Sequence, residues 1–203
     1  MILALDTSTA ACTAALFEAD GTPIARADER IGRGHSERLV PMIEAMIAGR
    51  RPTQILVGCG PGSFTGIRVA LAAAHGMAIG WRAGLSGFSS LALIAAGAPG
   101  EGEVAVAMAG GHGELFVQTF ARLPFSESGP LANLAPVQAA KIVDAQLVIG
   151  SGAAALVAVR GWGEALDGFP AAADVLRLPP ALRSRDPNPV YARAPDARPK
   201  VTA

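Results

Sequence analysis

Two short segments carry residues whose types and spacing suit chemistry. In Leu5-Asp6-Thr7-Ser8-Thr9 a carboxylate ends an apolar run and three hydroxyl residues follow. Backbone amides and hydroxyls there would offer donors to a phosphate, and the aspartate could hold the water shell of a cation. The same residues also describe a hairpin turn closed by Asx and hydroxyl bonds to its own backbone. The second segment is Gly58-Cys59-Gly60-Pro61-Gly62-Ser63-Phe64-Thr65-Gly66-Ile67-Arg68. Its glycines let backbone amides converge, and a helix behind it would add a positive end. It lacks the lysine of a Walker loop and matches no dinucleotide fingerprint. Its other reading is a tight strand-to-helix turn with Ser63 or Thr65 as N-cap. The candidate anion- or nucleotide-facing residues are therefore Asp6, Thr7, Ser8, Gly60, Gly62, Ser63 and Thr65.

No other chemistry is legible. His35, His75 and His112 are not spaced as a metal set, and Cys12 and Cys59 form neither a disulfide framework nor a zinc motif. No nucleophile stands beside a base. Neither a catalytic residue nor a metal ligand is expected in this chain.

The elements that would position these groups alternate. Residues 1–6, 12–18 and 22–30 read as strands, with Asp20-Gly21 as a turn. Residues 35–48 carry Leu39, Met42, Ile43, Met46 and Ile47 at helical spacing. Ser36 suits the N-cap, Gly49 the stop, and Pro41 disturbs a helix begun at Ser36. A strand at 54–58, a helix at 65–79, a strand at 83–86 and a helix at 89–96 complete the first half. The helix at 65–79 is apolar and small-residued around most of its circumference, so it needs cover on more than one side. A second chain or an internal layer of this chain would provide it.

Residues 99–102 read as a hinge. Strands at 103–109 and 114–120, joined by Gly110-Gly111-His112-Gly113, repeat the opening of the chain in degraded form. That turn has no acid between Glu103 and Glu114, and Ala109 stands where Asp6 stands in the first copy. Residues 124–136 read as loop, 137–143 as a short helix, 147–150 as a strand and 151–159 as a helix. The tail, 179–203, reads as a wrap with little regular structure. Two lobes follow, 1–98 and a smaller 103–203.

Of the 203 residues, 51% are hydrophobic and 17% charged, which excludes disorder. Seventeen basic and seventeen acidic residues cancel, so an unaided grip on a nucleic-acid backbone is not expected. The chain opens on a strand rather than a basic-then-apolar leader, and its longest apolar run is too short for a membrane span. A soluble, cytoplasmic protein is expected.

Three segments in order resemble the TsaB (YeaZ) family of tRNA threonylcarbamoyladenosine proteins. They are Ile2-Leu3-Ala4-Leu5-Asp6-Thr7-Ser8-Thr9, Gly34-His35-Ser36-Glu37-Arg38-Leu39-Val40-Pro41-Met42-Ile43 and Gly60-Pro61-Gly62-Ser63-Phe64-Thr65-Gly66-Ile67-Arg68-Val69. Pro189-Val190-Tyr191-Ala192-Arg193 looks like the family's closing motif. The resemblance implies an α/β fold of two actin/Hsp70-like (ribonuclease H-like) lobes with mixed sheets, the second degenerate. It implies a non-catalytic scaffold subunit, a pseudo-enzyme that pairs with itself or with the catalytic TsaD-type subunit, joined by a TsaE-type ATPase. ATP or ADP and metal belong to those partners, this chain has no cofactor of its own, and tRNA is met only through the complex. The implied dimer interface uses the two central helices of the first lobe, with His35, Leu39, Met42, Ile43, Met46, Arg68, Val69, Ala73 and Met77. The departures are a short linker at 48–54 and Ala109, where many relatives carry aspartate. The rival reading is a self-standing ATP-binding enzyme of the same fold.

Overall fold

The computed structural model describes residues 1–192, and Arg193 of the closing motif falls outside the described residues. Alternation of apolar strands and amphipathic segments yields two sheets. The first contains β1 (Ile2–Asp6), β2 (Ala11–Phe17), β3 (Pro23–Arg30), β4 (Gln54–Gly58) and β5 (Gly84–Phe88), in the order β3-β2-β1-β4-β5. The first three strands form an antiparallel meander, and β4 and β5 continue it in parallel. β1 and β2 are buried along almost their whole length, so they read as continuous apolar runs rather than alternating ones.

Helices α1 (His35–Ile47) and α2 (Phe64–Trp81) cover one face of this sheet. The N-cap of α1 is Gly34, not Ser36, and no side chain caps it. Gly34 lies at φ 84°, a left-handed value that suits glycine, so the chain turns into the helix two residues earlier than the serine suggests. Pro41 sits inside α1 on its exposed side. Ser63 caps α2, its Oγ accepting from the Gly66 amide at 3.2 Å. The helix runs two residues past Ile79 and ends on Arg82 at φ 55°.

Helix α3 (Ser90–Gly97) lies on the other face. Every residue from Ser90 to Ala96 is buried. The second sheet explains why. Its strands are β6 (Val104–Ala109), β7 (Leu115–Arg122), β8 (Phe125–Glu127), β9 (Ala132–Leu134), β10 (Leu147–Ile149) and β11 (Glu164–Leu166). They lie in the order β11-β10-β6-β7-β8, with β9 beside β7. Leu91, Leu93 and Ile94 of α3 join one apolar cluster with Ala4 and Leu56 of the first sheet and Val104, Val106, Phe116 and Phe120 of the second. Burying side chains of this size contributes roughly 1.5–3 kcal/mol each.

Helices α4 (Pro136–Ala139) and α5 (Ala153–Arg160) back the second sheet. Residues 124–136, expected as loop, contain β8 and β9, and the helix expected over 137–143 shrinks to four residues. Three-residue strands carry no readable periodicity. The chain then returns to the first sheet through 3-10 turns at Ala172–Arg177 and Pro180–Leu182. Thr13 accepts the Ala172 amide at 2.8 Å on its Oγ1, fastening that return to β2. The architecture is the mixed-sheet, two-lobe actin/ribonuclease H-like α/β fold.

Candidate functional site

Asp6 ends β1 and is wholly buried. Its Oδ1 accepts from the Ser8 amide and from Ser8 Oγ, each at 2.7 Å. Its Oδ2 accepts from Ser90 Oγ at 2.6 Å. The backbone of β4 closes the remaining side: a Cβ on Gly58 would lie 1.9 Å from Asp6 Oδ2. Burial raises the Asp6 carboxyl above the usual carboxylate range, against the lowering effect of its bonds to Ser90 and Ser8 and of the charge of His35. The aspartate therefore closes an Asx turn and holds α3, rather than facing a ligand.

The glycine loop is occupied in the same manner. The Ser63 amide donates to Ser8 O at 2.7 Å, and Thr7 Oγ1 donates to Gly66 O at 2.7 Å. A Cβ on Gly62 would lie 2.2 Å from Ser8 O. Gly60 donates its amide to Ser90 Oγ at 3.2 Å and accepts on its carbonyl from the Ser90 amide at 2.9 Å. The convergence that glycine permits is used, at the Ser63 and Gly60 amides, on bonds to Ser8 and Ser90.

Of the expected ligand-facing residues, Ser8, Gly62, Ser63 and Thr65 do line an open cleft of about 1300 Å³, whereas Asp6, Thr7 and Gly60 do not. The cleft runs between the lobes. Its far wall is Met108, Ala109, Gly110 and Gly111 with Phe116 and Ser151, and Phe169 closes one side. Ala109 ends β6 as Asp6 ends β1, and its amide donates to Ser151 Oγ at 3.1 Å. The second wall thus presents a methyl group where the first lobe has its carboxylate. His35 is half-buried at the rim, and its Nε2 has no hydrogen-bond partner among the described residues. No group of three His, Cys, Asp or Glu side chains able to hold a metal is found among the described residues.

The expected interface residues divide. Leu39, Met42, Ile43 and Met46 pack inward with Leu3, Leu5 and Ile55 in the chain's own core, so they correct the interface list. Their helical spacing marks the side of α1 that faces its sheet. Arg68 is exposed, and His35, Val69, Ala73 and Met77 keep part of their surface. Outside them lies a surface of low polarity: Val40, Pro41 and Ala45 on α1, and Ala72, Gly76 and Ile79 on α2. Ile79 is 79% exposed.

Two pairings were not readable from the sequence, although Tyr191 stood out there as a residue that could anchor the tail. Arg30 bonds Asp167 at 2.9 Å and lies 3.8 Å over the Phe169 ring, bridging the lobes. Arg68 donates from Nε to the Tyr191 hydroxyl at 2.9 Å. Each joins residues more than a hundred positions apart, which local pattern does not reveal. No helix among the described residues is long and apolar enough to cross a membrane.

The family model described as "TsaD: tRNA N6-adenosine threonylcarbamoyltransferase" matches residues 29–125. The tRNA threonylcarbamoyladenosine biosynthesis protein TsaB of Escherichia coli is 41% identical over 102 residues, 48% of this chain and 43% of that protein. The protein of the same name from Haemophilus influenzae is 41% identical over 85 residues, 39% of this chain and 35% of that protein. These matches therefore span less than half the length of the curated relatives. The solved structure of YeaZ from Pseudomonas aeruginosa superposes with a TM-score of 0.78 at 29% identity, covering 94% of this chain and 98% of that one. A second structure from the same organism, described as similar to the peptidase YEAZ, reaches 0.80 at 29% identity over 95% and 99%.

Proposed function

This chain belongs to the TsaB (YeaZ) family, and from that premise we propose that it takes part in tRNA threonylcarbamoyladenosine biosynthesis as a non-catalytic scaffold subunit. Its outer α1/α2 face docks another chain, either a second copy or a TsaD-type catalytic subunit. A TsaE-type ATPase joins that pair, the nucleotide and metal reside on the partners, and tRNA is met through the complex.

The observation that carries this reading is the exposed face of α2, where Ala72, Ala73, Gly76 and Ile79 leave small and apolar surface uncovered. Such a patch marks a protein-binding site, and small residues let helices approach closely. Charge supports the pairing. The outer side of α1 exposes Glu37 and Glu44, and that of α2 exposes Arg68. A face with an acidic and a basic edge is self-complementary under a two-fold rotation. The inward-turned Asp6 and the methyl of Ala109 weigh against chemistry in the cleft.

The test is Ala73→Glu or Met77→Glu, followed by sedimentation and by co-purification with a tagged TsaD-type subunit. A charge left unpaired in such an interface costs about 3–5 kcal/mol, by analogy with broken buried ion pairs, so both associations should fail. Unchanged association would remove the docking face from the proposal. Calorimetry with Mg-ATP on the isolated chain separates the rival enzyme reading: tight binding with turnover would favour it.

A further inference from the structure

The C-terminal segment crosses both lobes before it reaches the docking face. Arg185 exchanges backbone hydrogen bonds with Gly87 of β5 at 2.7 and 3.1 Å, and its guanidinium bonds Glu127 of β8 at 2.8 Å. Further along, the Val190 amide donates to Cys59 O at 2.8 Å. Tyr191 is thereby set beside the first turn of α2. Its ring lies 5.2 Å from the ring of Phe64, and the Arg68 guanidinium sits 3.6 Å over Phe64 while donating from Nε to the Tyr191 hydroxyl.

This arrangement fixes an exposed arginine. Phe64 is 51% exposed and Tyr191 43%. Stacking on one ring and bonding to the other hold the guanidinium plane, yet its Nη groups make no bond among the described residues. An arginine already ordered loses less freedom when it meets a carboxylate, and it presents a fork that two carboxylate oxygens match. Phe64, Arg68 and Ala72 follow one another at four-residue spacing, so the cluster stands where the α2 stripe meets the mouth of the inter-lobe cleft, which Phe64, Arg68 and Tyr191 also line.

We propose that the C-terminal strap is a working part of the docking face: Tyr191 presets Arg68 to receive a carboxylate from a second copy of this chain. Glu44 is the group whose charge fits. It lies on the outer side of α1 and has no ion pair among the described residues. The proposal rests on the docking-face reading above, and it adds that assembly depends on a residue contributed by the C-terminal segment.

Self-association of the purified chain, measured by sedimentation, tests it. Tyr191→Ala and Arg68→Ala should each weaken association roughly thirtyfold, the scale of an interface hot spot. The double variant should lose no more than either alone, because tyrosine acts through arginine. Tyr191→Phe keeps the ring and loses the acceptor, so it should fall between. Glu44→Gln should weaken association in the parent and add nothing to Arg68→Ala. Unaltered melting temperatures would show that each variant folds. Independent, multiplying losses, or no loss in Tyr191→Ala, would overturn the role of the strap. If Ala73→Glu also leaves association intact, the docking face itself is wrong; if Ala73→Glu dissociates the chain and Tyr191→Ala does not, only the strap is.

Discussion

Ser90 at the start of α3 donates its hydroxyl to Asp6 at the end of β1, across 84 positions of sequence and 2.6 Å of space. The bond ties the helix between the sheets to the central strand of the first. It also occupies the carboxylate oxygen that a ligand in the first lobe would need.

Replacing Asp6 by asparagine should flatten the dependence of stability on pH. The native carboxyl is raised above its ordinary value by burial. The folded state therefore holds this proton more tightly than the unfolded chain. Its contribution is full below the ordinary carboxylate value and declines as pH rises through the raised one. An amide cannot ionise, so Asp6→Asn should lose this slope, while Asp6→Ala should cost about 1–3 kcal/mol by leaving the Ser8 amide and the Ser90 hydroxyl unsatisfied. Thermal melts between pH 4 and 8 check both.

Gly58→Ala should destabilise the fold by roughly 1–3 kcal/mol, because its methyl would fall 1.9 Å from Asp6 Oδ2. The clash is with one side chain, so Asp6→Gly should offset part of it. A thermodynamic cycle of the two variants should therefore be non-additive. Additive losses would place the strain elsewhere.

The two sides of the α1/α2 layer should respond oppositely. Ile43→Ala removes a core side chain and should cost about 2–5 kcal/mol. Ile79→Ser changes a side chain that is 79% exposed and should move stability by no more than about 0.5 kcal/mol. On the proposed function, Ile79→Ser should nonetheless weaken association. Chemical denaturation and sedimentation of both variants give the comparison.

Cys12 and Cys59 should resist alkylation in the native state. Both thiols are buried and free, and burial pushes each up to about 11. At pH 8 the thiolate fraction is then on the order of one in a thousand. Both should react promptly once denaturant exposes them, as mass spectrometry would show.

The first half of the chain was legible because its elements are long and patterned. The apolar run of β1, the heptad-like spacing of Leu39, Met42, Ile43 and Met46, and the glycine loop before α2 each mark an element. What spacing alone did not reveal was direction. Apolar residues recurring along α1 mark the side that meets its own sheet, whereas the exposed side, with Pro41 and Ala45 on α1 and Ala72 and Gly76 on α2, is rich in small residues, which periodicity overlooks. The turn chemistry of Asp6 and the glycine loop was open between a ligand cradle and self-closure. The decision lay in Ser90, 84 positions from Asp6, whose approach no local motif carries. β8, β9 and β11 are three residues each and lack a pattern to read.

Helix α3 has a last consequence. Its side chains complete the interior of one sheet and of the other at once. A chain severed near Gly100 would yield two fragments, neither owning a finished interior. The lobes are therefore not separable modules. They are expected to melt in one cooperative transition, with the helix as their common keystone.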